Sequence, residues 1–233
     1  MTHSELRDEV RANVRRSTNA LANSRITSWL NWALDLIADL HTFEEMRQIL
    51  TGSTQADYKR YSFPSSMKDI HSLKLIDGTM SRKLICVPSH HFDKNIPRPE
   101  IYAKGRSTWY VDYGTLFELY KIPDKAYDLE LRASFYPTHL SGDADTIKIG
   151  LLNVSFSRIA DKLSCYAATA EGLDSLKEHD DAKTWWNKFQ AAYKVALQTD
   201  HSAEDWEPQV REFTSTRVAT GEYWNNPLIR SMS

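Results

Sequence analysis

The side chains of this sequence that could hold a metal, cradle a phosphate or attack a substrate are few and scattered. His90 and His91 are adjacent, with Asp93 two positions on. Neighbouring side chains of an extended segment point to opposite faces, so both imidazoles do not easily reach one ion. The stretch is expected to be a solvated loop after a strand that ends at Pro88. Asp143-Ala-Asp145, following Ser141-Gly142, has the opening of a calcium loop but lacks the later glycine and distal glutamate, and reads as a turn. Cys86 and Cys165 belong to no paired-ligand spacing and are expected to be buried free thiols. The 8 glycines form neither GxGxxG nor GxxxxGK[ST], and there is no GxSxG elbow or HExxH pair. Glu44-Glu45, Glu178 and Asp180-Asp181 fall on polar helical faces, where solvation is the ordinary role of a carboxylate. No cofactor, nucleotide or metal is expected, and no catalytic residue is assigned.

The one concentrated charge is basic. Arg7, Arg11, Arg15 and Arg16 share the first segment with Leu6, Val10 and Val14, four apart, which makes a helix with an apolar stripe and a basic face. That face is a candidate contact for an acidic neighbour or for a DNA passage, although Glu5, Asp8 and Glu9 dilute it. The whole chain offers no such footprint: 29 Lys and Arg against 31 Asp and Glu give a net charge of −2 over 233 residues, unlike a general nucleic-acid binder. No apolar run approaches the roughly 20 residues that span a bilayer, and the start is too polar for a signal peptide, so a reducing aqueous compartment is expected. With 7 Trp and 11 Tyr the chain has large amphipathic rings for contact surfaces as well as for a core.

The elements that must position these residues change character along the chain. Ile26, Trp29, Leu30, Ala33, Leu34, Ile37 and Leu40 recur at helical spacing, and a capping-box spacing from Thr42 to Glu45 predicts a further helical piece through Met46, Ile49 and Leu50 to Gly52. From about residue 57 to 137 short β-prone runs follow, punctuated by Pro64, Asp77-Gly78, Pro88, Gly105, Gly114 and Pro123; they include Glu100–Ala103, Ser107–Tyr113, Leu116–Ile122 and an alternating Tyr127–Tyr136. Leu152, Phe156, Ile159, Leu163, Tyr166 and Ala170 then form a seam. Gly172 interrupts it, and Ala182, Trp185, Trp186, Phe189, Ala192, Tyr193, Ala196 and Leu197 form a second helix, expected to pack antiparallel on the first. Residues 201–233 lack periodicity yet carry Trp206, Phe213, Tyr223, Trp224, Leu228 and Ile229, which reads as an extended arm that orders on a neighbour. The expected fold is therefore α+β: a helical bundle of N-terminal helices and a C-terminal antiparallel pair, with an antiparallel β insertion at about 57–137, one domain over 1–200 and an arm over 201–233.

Two phrases in this order of elements carry a resemblance. Ile26-Thr-Ser-Trp-Leu-Asn-Trp-Ala33 precedes the strand-rich insert, and Tyr136-Pro-Thr-His-Leu-Ser141 through Asp145 leads into the helical pair. From residue 5 to about 200 the chain resembles the head-to-tail adaptor, or connector, proteins of tailed bacteriophages. The resemblance implies a structural virion protein in the neck, assembled in the host cytoplasm. It would form a ring of twelve subunits that joins the portal to tail or nozzle proteins and surrounds passing genomic DNA without reading its sequence. It implies no catalysis, cofactor or membrane. On this reading the arm residues Trp206, Phe213, Tyr223, Trp224, Leu228 and Ile229 dock on the adjacent subunit or on the portal, the portal being the expected surface. Two other classes stay open from the residues alone: a small enzyme using His90, His91 or His139, and a nucleic-acid-binding accessory factor using the arginine helix.

Overall fold

Apolar residues three and four apart become buried helix faces. In the computed structural model, which describes residues 1–15, 21–96, 98–150, 152, 154–155 and 158–200, with the backbone alone at 154, 155, 158 and 159, five α-helices are present. Leu6, Val10 and Val14 line the inner side of α1 (His3–Val14), and Ile26, Leu30, Ala33, Leu34 and Ile37 that of α2 (Asn23–Leu40). Thr2 and Glu5 close a capping box on α1: the Glu5 N–H donates to Thr2 Oγ1 at 3.3 Å and the Thr2 N–H to Glu5 Oε2 at 2.8 Å. The remaining helices are α3 (Ser89–Asn95), α4 (Arg158–Ser175) and α5 (His179–Thr199).

The seam on α4 is covered chiefly by α2 and α1 rather than by α5. Leu163, Ala167, Ala168, Ala170 and Leu173 are all buried, and the small side chains among them let helices approach from more than one side. The Phe156 and Ile159 side chains lie outside the described residues, while Leu152 is exposed ahead of the helix. Gly172 does not interrupt the helix. It sits in its last turns because a Cβ there would stand 2.9 Å from Cζ3 of Trp29, so the glycine is what allows the indole of α2 to lie on α4. A tight turn with Lys177 in the left-handed region (φ 64°) leads into α5, whose Trp185 meets Tyr166 of α4 at 5.6 Å and whose Trp186 meets Trp32 of α2 edge-on at 6.0 Å.

The strands among the described residues are β1 (Arg47–Ser53), β2 (Arg60–Ser62), β3 (Met67–Asp77), β4 (Met80–Lys83), β5 (Ile85–Cys86), β6 (Trp109–Asp112), β7 (Leu116–Tyr120), β8 (Asp128–Phe135), β9 (Lys148–Ile149) and β10 (Val154–Ser155). One sheet has the order β1-β8-β3-β4, a second the order β2-β7-β6-β5, and β9 pairs with β10. The β region thus begins at Arg47, ahead of residue 57. The capping signal at Thr42 yields only a single 3-10 turn, Glu44–Met46, after which Ile49, Leu50 and Thr51 pair antiparallel with β8, Leu50 facing Leu131. A half-buried strand edge outweighs a local helix signal for β-branched residues.

The inserted region is not wholly antiparallel, since Ile85 of β5 lies parallel to Trp109 of β6. A parallel pair needs a crossover of a dozen or more residues, and residues 87–108 supply it with α3 and the 3-10 turn Pro99–Ile101. The expected loop at His90-His91 is therefore helix, and the expected strand at Glu100–Ala103 is a 3-10 turn. The crossover earns its place by burial: Phe92 and Ile96 pack on Val111 and Tyr120, with Val87 and Trp109 at the margin. The chain divides into a compact unit, Met1–Ala192, and a second, Tyr193–Ser233, of which the described part is the end of α5, where Thr199 Oγ1 donates to Val195 O at 3.1 Å.

Candidate functional site

Opposite its apolar face, α2 carries Thr27, Asn31, Asp35 and Asp39, four apart and so on one side of the helix. Each has a partner far away in sequence. The Asn31 side chain pairs with the backbone of Leu140 in both directions, Nδ2 donating to Leu140 O at 3.1 Å and Leu140 N–H donating to Oδ1 at 2.8 Å. One helical turn on, Asp35 lies 3.0 Å from His139 Nε2; one turn further, the Tyr136 hydroxyl donates to Asp39 Oδ1 at 3.0 Å. One turn back, Thr27 Oγ1 lies 3.0 Å from His3 Nε2. As α2 runs from 31 to 39 the strap beside it runs from 140 to 136, so the helix and the strap are bound antiparallel, with Asn31 as the contact made from within the 26–33 phrase.

The strap ends in a turn that receives α1. The Asp145 carboxylate accepts from the N–H groups of Ser141 and Gly142 at 2.9 and 2.6 Å and from Ser141 Oγ at 3.2 Å. Those backbone donors favour the charged carboxylate and hold Asp145 below its usual pKa range. The carbonyls of Asp145 and Asp143 accept from His3 and Ser4 N–H at 2.6 and 3.1 Å, satisfying donors that the first turn of a helix leaves unpaired. His3, fully buried, sets Nδ1 3.1 Å from Gly142 O. Asp143-Ala-Asp145 is thus the turn that the sequence suggests, and its task is to seat a helix.

This seating involves the arginine helix directly. Arg7 donates to Asp143 Oδ1 at 2.5 Å, and Arg11 donates to Asp8 Oδ1 at 2.6 Å and to Asn23 Oδ1. Both guanidiniums are engaged within the chain, whereas Arg15 is exposed in the left-handed region (φ 56°) at the end of α1. Arg16 lies outside the described residues, as do Trp206, Phe213, Tyr223, Trp224, Leu228 and Ile229. Of the candidate basic face, Arg7 and Arg11 are thus held by partners within the chain and Arg15 is exposed.

The residues weighed for chemistry fall in separate places. His90 and His91 stand on α3 with ring centroids 4.2 Å apart, His139 pairs with Asp35, and among the described residues no group of three His, Cys, Asp or Glu side chains converges as a metal site would. Cys165 is buried and its thiol is pushed up to about 12 by that burial. Cys86 is exposed, contrary to expectation, because β5 is the edge of its sheet; desolvation raises its thiol too. His71 Nε2 lies 2.6 Å from Ser134 Oγ, but Ser134 is wholly buried between strands and no substrate reaches it. No described helix is long and apolar enough to cross a membrane.

Several positioning residues are not singled out by the sequence alone. Thr27, Asp35 and Asp39 were legible as a polar stripe at helical spacing behind an apolar one, although nothing in the sequence names their partners. Gln48, a buried amide on β1, donates from Nε2 to Ile149 O at 2.7 Å, and Gly150 (φ +59°) must lack a side chain because a Cβ would stand 2.5 Å from Gln48 Oε1. Lys68 of β3 donates to Ala38 O at 2.5 Å and to Thr42 Oγ1 at 3.0 Å, closing the C-terminal end of α2 with a cation where the helix dipole favours one.

No curated protein is matched by the chain. A family model described as SU10 adaptor protein matches residues 1–212, which takes in α1, the α2 stripe, the strap and its turn, and the whole β region. The chain belongs to the SU10 adaptor protein family, a family of phage head-to-tail adaptors.

Proposed function

We propose that this protein assembles as a ring, of twelve copies, at the neck of a tailed phage, joining the portal to the tail or nozzle proteins and surrounding the channel through which the genome passes. The observation that carries the reading is the interlock of α2 with the 136–145 strap: Asn31, inside one phrase of the resemblance, joins Leu140, inside the other, and Asp35 and Asp39 extend the contact along the helix. A framework braced by backbone-directed hydrogen bonds suits a part whose work is to keep its shape under load. DNA passes without sequence recognition, consistent with a net charge of −2 and with Arg7 and Arg11 being held within the chain. No reaction is assigned to the protein, and no cofactor or metal.

Within this reading the body comprises residues 1–200, and the arm, 201–233, docks outside it on the portal through Trp206, Phe213, Tyr223, Trp224, Leu228 and Ile229. Large aromatic and aliphatic anchors of this kind supply most of the energy of an interface. Arg15 and Arg16 are the members of the arginine helix assigned to a neighbour contact. The test is attachment: purified protein is mixed with portal-bearing capsids, with and without a chelator, and recovered by sedimentation. Saturable attachment that survives chelation supports the reading, and an unattached monomer at every concentration contradicts it.

A further inference from the structure

Among the described residues, one side of α2 is left largely uncovered. Trp32, Leu36 and Leu40 recur every four residues, with Trp32 39% and Leu40 51% exposed. Trp186 meets Trp32 edge-on and fixes its ring. Asp35 and Asp39 flank the stripe, and their described partners are His139 and the Tyr136 hydroxyl, so the surface is apolar and acidic. Large apolar side chains in a row, rimmed by charge, are the mark of a contact surface rather than of chance exposure.

A surface of the opposite charge lies elsewhere on the same chain. All four residues of β4, Met80, Ser81, Arg82 and Lys83, are exposed, Met80 to 61%, and Arg106 Nη1 lies 3.5 Å from Met80 Sδ. β4 is the edge of its sheet, and its two cations discourage pairing with another strand, which leaves a helix face as the fitting occupant. The two surfaces cannot meet within one molecule. Lys68 of β3 touches the C-terminal end of α2, whereas β4 pairs with residues 74–77 at the other end of β3, roughly 20–30 Å away at about 3.3 Å per residue. Complementary patches at separate places on one chain satisfy each other between copies, head to tail, and such contacts close into a ring when the rotation per copy permits.

We propose that the α2 stripe of one copy docks on β4 of the next. The proposal rests on the ring reading above and names the two surfaces the ring would use. Its test is a charge exchange in the full chain, read by sedimentation velocity and native mass spectrometry, alone and with the portal. Arg82→Glu with Lys83→Glu should weaken self-association at least tenfold, and Leu40→Lys should do the same from the other side. Combining all three should recover part of the association lost in the Arg82→Glu, Lys83→Glu variant, because the cation of Leu40→Lys then faces two carboxylates while Asp35 and Asp39 still oppose them. Circular dichroism checks that each variant keeps its helices; Leu40 is chosen over Asp35 and Asp39 because it holds no strap residue. An original protein that forms rings while the variants associate equally well overturns this interface and leaves the ring reading standing. The same holds if the exchange restores nothing, or if the α2 variant loses only portal attachment, which would assign the stripe to the portal. An original protein that stays monomeric with and without the portal overturns both.

Discussion

Asn31 is the residue on which the helical framework turns. Its amide satisfies both the N–H and the C=O of Leu140, so Asn31→Ala leaves two partly buried backbone groups without a partner; the expected cost is about 1–3 kcal/mol, read from urea denaturation. Gly172→Ala tests the close approach of Trp29. Alanine gains about 1 kcal/mol of helix propensity over glycine, but its methyl would meet a buried indole at 2.9–3.3 Å, and overpacking of that kind costs about 1–3 kcal/mol. Net destabilisation is expected, and replacing Trp29 by a smaller side chain should relieve it. His71 gives a pH dependence whose sign follows from its burial. Burial, aided by Arg47, lowers its pKa in the folded protein, so the unfolded chain takes up the proton first. Stability should therefore fall as pH drops below about 6.5, the unfolded value, and the loss should continue until the lower folded value is passed. The midpoint of thermal unfolding at successive pH values checks this, and His71→Gln should flatten the slope.

At the level of elements, the strap's turn is the seat of α1. Asp145→Ala removes the carboxylate that gathers Ser141 and Gly142, so the carbonyls offered to His3 and Ser4 should lose their position. Hydrogen exchange should speed up in α1 while α2 and α4 stay protected; equal exposure of all three would show that the turn braces the whole framework instead. What could be read in advance follows a physical division. α1, α2, β8 and the helical nature of residues 158–175 were legible because each buries one face of its own period, so the pattern is local. β1 was misread because its strand character comes from the free edge of β8, some 80 residues away in sequence. α3 and the parallel β5–β6 pair were missed for the same reason: a crossover is defined by the strands it connects. Gly172 was read as a break because a glycine that weakens a helix and a glycine that admits a neighbouring indole look alike in one sequence. The strap was visible as a phrase, and its meaning lay in a partner more than 100 residues away.

In the proposed assembly the whole molecule is a ring subunit whose arm reaches its partner. Removing residues 206–233 should leave the helical signal of the body intact and sharply reduce portal attachment, since the anchors Tyr223, Trp224, Leu228 and Ile229 go with it; loss of the helical signal would instead make the arm part of the protein's own core. Charge at the arginine helix is a smaller effect. Reversal at Arg11 breaks a bond within the chain as well as any contact outside it, so Arg15→Glu is the cleaner probe, and its effect on attachment should shrink as salt screens it. The most direct measurement is electron microscopy of the full chain incubated with its portal, averaged without imposed symmetry. The expected result is an added ring beneath the portal with twelve repeating units around an open channel. Portals that carry no added density, or bound protein with no rotational repeat, would contradict it.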